Sequence, residues 1–212
     1  MDTEKKHLKN ITTIVFDLGG VLVDWNPEYL FLKRFHGDIK KTRWFLENVC
    51  TPDWNIMQDA GRTIEEANRL KIATYPEYES DIIAFYEQWH LMFKGPIKGT
   101  LALFEAIKKS ENYRYYALTN WSTETWERGK TLFPFFETFQ GIVVSGEEKT
   151  IKPFADIYNI LFDRFEIAPK DAVFIDDNKQ NTEAAIALGM HAIHFNNPTQ
   201  LDLDLKALGI QY

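Results

Sequence analysis

Asp17, Thr119, Asn120, Lys152 and the adjacent pair Asp176 and Asp177 stand out, because each follows a short apolar run or opens a helical stretch. Brought together, they would supply carboxylates, one ammonium and one hydroxyl to a small volume. Carboxylates that close repel one another and raise each other's pKa unless a cation joins them. Hard oxygen donors suit Mg²⁺, so these residue types predict a metal site on Asp17, Asp176 and Asp177. Each part also has a plainer reading. Aspartate before glycines forms turns, Thr and Asn cap helices, a lysine before proline is a solvated charge, and acids at a helix start complement its dipole. The combination carries the expectation.

The elements that would position these residues can be read from hydrophobic period. Ile11 to Phe16 is a short β-branched apolar run that stops at Asp17-Leu18-Gly19-Gly20, the pattern of a buried strand. Further strands are expected at Tyr115 to Leu118, Gly141 to Val144, Ala172 to Ile175 and His191 to Phe195. Between them run helical stripes: Leu101, Phe104 and Ile107; a helix from Thr123; Phe154, Ile157, Tyr158, Leu161 and Phe165; and a helix closed by Gly189. Such alternation predicts an α/β fold, a doubly wound parallel sheet whose ligands bind beyond the carboxyl ends of the strands. From Pro27 to Phe93 the period changes. Ile82, Phe85, Tyr86, Trp89, Met92 and Phe93 form one helical stripe, and Thr63 to Glu66 make a capping box. The expected organisation is therefore a core of residues 1–26 and 96–212 with a helical cap domain, 27–95, inserted after the first strand.

The stations Ile14-Val15-Phe16-Asp17-Leu18-Gly19-Gly20-Val21, Leu118-Thr119-Asn120, Ile151-Lys152-Pro153 and Phe174-Ile175-Asp176-Asp177-Asn178 resemble, in order, the four motifs of the haloacid dehalogenase superfamily. The helical segment is similar to the cap that this family places after its first motif. The resemblance implies a Rossmann-like core and Asp17 as a nucleophile that forms an aspartyl phosphate. It implies that the Thr119 hydroxyl and Asn120 backbone N–H hold phosphoryl oxygens, with Lys152 compensating charge. Mg²⁺ would sit on Asp17, the Gly19 carbonyl and Asp177, with Asp176 as a second ligand or outer partner. Gly20, Trp25 and Trp54 join the expected substrate contacts, although tryptophans equally suit a bundle core. One departure matters. The family's phosphatases usually carry a second aspartate two residues after the nucleophile, to protonate the leaving group, and here that position is Gly19. General acid catalysis is worth about 10² to 10⁴ in rate, and Asp24 is the expected substitute.

The resulting expectation is a Mg²⁺-dependent phosphatase acting on a small phosphorylated metabolite. A 2-haloacid dehalogenase would use the same aspartate on carbon without metal or acid, and the spacing of Lys152 and Tyr158 resembles those enzymes; Asp176 and Asp177 would, however, repel its carboxylate substrate. A third reading is a metabolite-binding or partner-binding protein without turnover. Composition narrows the partners: 212 residues carry a net charge of −7, which gives no electrostatic reason to bind nucleic acid or an anionic membrane. The single cysteine, Cys50, suits a reducing cytoplasm. The apolar run from Ile11 is broken at Asp17, too early for a leader or a membrane span. A monomer or homodimer is expected. His90, Arg34, Arg43 and Arg62 read as packed or solvated side chains.

Overall fold

The computed structural model describes residues 11–212. Residues 1–10, on which the expectation about a leader partly rests, lie outside the described residues. β1 (Thr13–Phe16) leads through a turn to β2 (Val23–Trp25). The helices α1 (Glu28–Arg34), α2 (Ile39–Asn48), α3 (Pro52–Asp59), α4 (Ile64–Thr74) and α5 (Glu79–Glu87) follow, then β3 (Phe93–Pro96). The remainder alternates: α6 (Lys98–Ser110), β4 (Arg114–Thr119), α7 (Thr123–Leu132), β5 (Ile142–Val144), α8 (Ser145–Glu148), α9 (Ala155–Phe165), β6 (Ala172–Asp176), α10 (Lys179–Ala187), β7 (His191–His194) and α11 (Pro198–Ala207).

Five strands form a parallel sheet in the order β5-β4-β1-β6-β7. Both faces are covered, so β1 is apolar at successive positions rather than alternating with polar residues. Ile14 and Phe16 pack with Phe104, Ile107 and Ile175 in one cluster, while Val15 joins Leu118, Ile157 and Phe174 in the other. From β1 the chain goes to β4 on one side and later to β6 on the other. A crevice therefore opens at the carboxyl end of β1.

Two expectations about local structure change. The stripe read as one helix through Phe93 breaks after α5: Trp89–Met92 is a 3₁₀ turn, and β3 pairs antiparallel with β2, Trp25 opposite Phe93. Gly95 at φ +108° and Pro96 keep a helix from resuming beyond that turn, since neither continues one. Phe154, expected on the inner stripe of α9, stands before the first turn with extended backbone and is 62% exposed. The stripe proper is Ile157, Tyr158 and Leu161, all buried.

The helical segment is held together by rings. Phe31 and Phe45 lie 4.6 Å apart between centroids, and Trp54 and Phe85 5.2 Å; each such pair adds about 0.5–1.5 kcal/mol beyond area burial. It is seated on the loops that follow β4 and β5. Arg128 on α7 donates to the Tyr86 and Glu87 carbonyls at 3.0 and 3.2 Å, Glu124 accepts from the Ile64 N–H at 2.7 Å, and Ser145 Oγ donates to the Asp59 carbonyl at 2.6 Å. Among the described residues no helix is long and apolar enough to cross a membrane.

Candidate active site

Three adjoining strands deliver polar residues to the same crevice. Asp17 follows β1, Thr119 ends β4 and Asp176 ends β6. Lys152 enters from the segment after α8 and is 2% exposed. Its Nζ donates to Asp17 Oδ1 at 2.9 Å, Asp176 Oδ2 at 2.7 Å and the Leu118 carbonyl at 3.0 Å, which engages all three ammonium protons. The Asn120 side chain holds that lysine from behind. Its Nδ2 donates to the Lys152 carbonyl at 3.1 Å, and its Oδ1 accepts the Lys152 N–H at 2.9 Å.

Asp176 is fully buried and accepts further bonds from the Asn178 N–H at 2.7 Å and from Asn181 Nδ2 at 3.0 and 3.1 Å. It is an anchored carboxylate, whereas its neighbour Asp177 is exposed at the rim. Oxygens of Asp17, Asp176 and Asp177 lie within 4.8 Å of one another. Burial pushes the Asp17 carboxyl up to about 8; Lys152 opposes this, while Asp176 and Asp177 add to it. Asp177 is also raised, by burial and then by Asp176. Burial alone would lower Lys152, but Asp17 and Asp176 outweigh it and hold the ammonium above its ordinary value. Three carboxylates thus face one cation. The donor set is all hard oxygen and short of positive charge, so it fits Mg²⁺.

The glycines beside Asp17 differ in their surroundings. Gly20 has φ +72°, and a Cβ there would stand 2.2 Å from Asp177 Oδ2. Its N–H donates to the Val23 carbonyl at 2.9 Å and so closes the turn. At Gly19 an added Cβ would meet nothing within 4 Å. That open space borders a cavity of about 90 Å³ between the sheet rim and the helical segment, where Gly19, Asn120 and Ser122 face Trp25, Asp59 and Trp89.

The remaining expected residues separate. Trp25 lines the cavity, whereas Trp54 is buried among Phe85 and Tyr86. Asp24 does not line it either; its Oδ1 accepts from the Tyr29 hydroxyl at 2.9 Å. The Tyr158 hydroxyl donates to the Asn181 carbonyl at 2.8 Å, and its ring packs against Phe174. Arg34 pairs with Asp81 at 2.8 Å, Arg62 bonds Gln58 at 2.7 Å, and Arg43 and His90 are exposed. Sequence reasoning missed Asn181 and Asp59, and gave Asn178, part of the fourth station, no role of its own. Asn181 sits in the first turn of α10, one helical turn past Asp177, a spacing that could have pointed to it. Asp59 belongs to no motif.

Comparison with known proteins adds the lineage. A family profile described as haloacid dehalogenase-like hydrolase matches residues 14–195. The sesquiterpene phosphatase astK of Aspergillus oryzae is 25% identical over 92% of this chain and 94% of its own. The structure of a predicted HAD-like family hydrolase from Porphyromonas gingivalis superposes with TM-score 0.70 at 22% identity, covering 96% of this chain and all of the other. A HAD family enzyme of Bacteroides thetaiotaomicron, in complex with magnesium and inorganic phosphate, gives 0.64 at 24% identity over 88% of this chain and 95% of its own.

Proposed function

This chain belongs to the haloacid dehalogenase-like hydrolases, and we propose that within them it is a Mg²⁺-dependent phosphatase acting on a small phosphorylated metabolite. The observation that carries the reading is the gathering of Asp17, Asp176 and Asp177 oxygens within 4.8 Å around a single ammonium. The phosphatase name of the Aspergillus oryzae relative, and the magnesium and phosphate held by the Bacteroides thetaiotaomicron enzyme, support it. Asp17, the Gly19 carbonyl and Asp177 would hold the ion, with Asp176 behind them. When bound, Mg²⁺ neutralises the transferring group and aligns it with the attacking oxygen.

The chain's own groups do the rest. Asp17 Oδ1 accepts from the Leu18 N–H at 2.7 Å and from Lys152 at 2.9 Å, which leaves Oδ2 to attack phosphorus and form the aspartyl phosphate. Lys152 holds the nucleophile in place and offsets charge on it. The Asn120 side chain is engaged with Lys152, so its part in holding phosphoryl oxygen falls to the backbone N–H, beside the Thr119 hydroxyl. Trp25 would wall the leaving group. Residues 27–95 would act as a cap that excludes water during attack. A cytoplasmic location accords with the single buried Cys50.

Metal binding tests the reading apart from turnover. At a hundredfold excess over its dissociation constant, Mg²⁺ stabilises the fold by about 2.7 kcal/mol, a rise of roughly 5–11 °C in Tm for a chain of this size. Asp177→Asn should lose most of that rise. Phosphate release from phosphorylated metabolites should stop on chelation and return with Mg²⁺. Chloride release from 2-chloropropionate without metal, in the absence of phosphate release, would favour the dehalogenase instead.

A further inference from the structure

We propose that Asp59, from the end of α3, is the general acid and base that the Gly19 position does not supply. This inference rests on the phosphatase reading. Asp59 is the one carboxylate among the described residues lining the cavity that Gly19 and Asn120 also line, so it shares that space with the residue two positions after the proposed nucleophile. Its backbone is pinned there. Ser145 Oγ donates to the Asp59 carbonyl at 2.6 Å and accepts the Trp121 N–H at 2.9 Å, which ties the end of α3 to the loops after β4 and β5.

The side chain is set up to carry a proton. Asp59 is 9% exposed and has no ion pair among the described residues. Burial pushes it up to about 7, against the lowering pull of Lys152 and of a bond from the Ser122 N–H. Asn55 Nδ2 reaches its Oδ2 at 3.5 Å, and Asn55 Oδ1 accepts from the Tyr86 hydroxyl at 2.8 Å, which itself accepts from Gln58. A carboxyl near neutrality in both directions is what a proton donor and acceptor needs at physiological pH.

The proton balance closes. As Asp17 Oδ2 bonds to phosphorus, the bond from phosphorus to the leaving oxygen breaks. That oxygen keeps the electron pair and takes the Asp59 proton, leaving as an alcohol. The Asp59 carboxylate then removes a proton from water as its oxygen attacks the aspartyl phosphate. Phosphate departs, Asp17 regains its carboxylate and Asp59 is again protonated.

The experiment compares p-nitrophenyl phosphate, whose leaving group needs little protonation, with glycerol 2-phosphate, whose alkoxide needs a proton. In Asp59→Asn, kcat/KM, which reports the steps up to loss of the leaving group, should fall about 10² to 10⁴-fold for glycerol 2-phosphate and less than about tenfold for p-nitrophenyl phosphate, while kcat falls for both because hydrolysis of the shared aspartyl phosphate loses its base. Adding Gly19→Asp to Asp59→Asn should restore alkyl turnover, because the new side chain enters open space on the same cavity. That recovery could not come from a variant that fails to fold. Equal losses in kcat/KM on both substrates, unchanged kcat/KM for the alkyl phosphate, or no recovery in the double variant would overturn the role of Asp59 and leave the phosphatase reading standing. If the natural protein releases no phosphate from either substrate, both fall together.

Discussion

Asp17→Asn is expected to abolish phosphate release, by on the order of 10⁴ to 10⁶-fold, as loss of a covalent nucleophile does. No labelled aspartyl phosphate should be recovered after acid quench. The same variant should not be less stable, and this separates loss of chemistry from loss of fold. Asp17 is raised to about 8 by burial, with Lys152 opposing and Asp176 and Asp177 contributing, whereas an unfolded aspartate titrates near 3.9. Between roughly pH 4 and 8 the metal-free native state therefore binds more protons than the unfolded chain, and its stability falls as pH rises through that window. Asn carries no such charge, and the Lys152–Asp176 pair that remains is balanced. Thermal unfolding of metal-free protein at pH 5 and pH 8 should show a smaller loss for Asp17→Asn than for the natural chain. Appreciable hydrolysis by the variant would mean that the nucleophile lies elsewhere.

Lys152→Met should act in the opposite sense on stability. Its ammonium contacts two carboxylates at 2.9 and 2.7 Å, with the lysine and Asp176 almost wholly inaccessible. Removing one partner of a buried charged set leaves the others uncompensated, a loss of about 3–5 kcal/mol, or roughly 6–20 °C in Tm for a chain of this length. Turnover should fall with it, since Asp17 loses the group that holds its Oδ1. Mg²⁺ should recover part of the stability by replacing some of the missing positive charge, but little of the activity. Calorimetry with and without metal, beside phosphate release, checks both halves. A variant as stable as the natural chain would show that the two aspartates are solvated.

Legibility in the sequence followed the strength of the local signal. β1, β4 and β6 are apolar runs that end at Asp17, Thr119 and Asp176, so run length and the polar residue after it located the rim. The contact between Lys152 and Asp17 was reachable through motif order, because the segment after β5 must return to the crevice. β3 was not legible: Phe93 continues a helical phase until Gly95 and Pro96, and only pairing with β2 makes it a strand. Phe154 failed for a related reason, since period alone does not tell the first residue of a helix from the last before it. Asp59, tied to Ser145 across 86 positions, depends on tertiary approach, and the anchoring bonds of Asn181 depend on side-chain direction; neither has a spacing rule. Asp24 was favoured by nearness in sequence; its neighbour Trp25 does line the cavity, but the Asp24 carboxylate is taken up by the Tyr29 hydroxyl instead.

The ribbon of β2 and β3 also bears on how the chain reaches this arrangement. Thr13 pairs with Arg114 across 101 positions, a long loop to close before the sheet can form. Trp25 pairs with Phe93 across 68 of those positions. Once the ring-packed helices and their ribbon have formed, the closure that remains spans about 33 positions, and the logarithmic dependence of loop entropy on length makes it cheaper by about 1 kcal/mol. The insertion thus shortens the effective contact order of the sheet it interrupts, and β1 and β4 meet as near neighbours in a chain whose sequence sets them far apart.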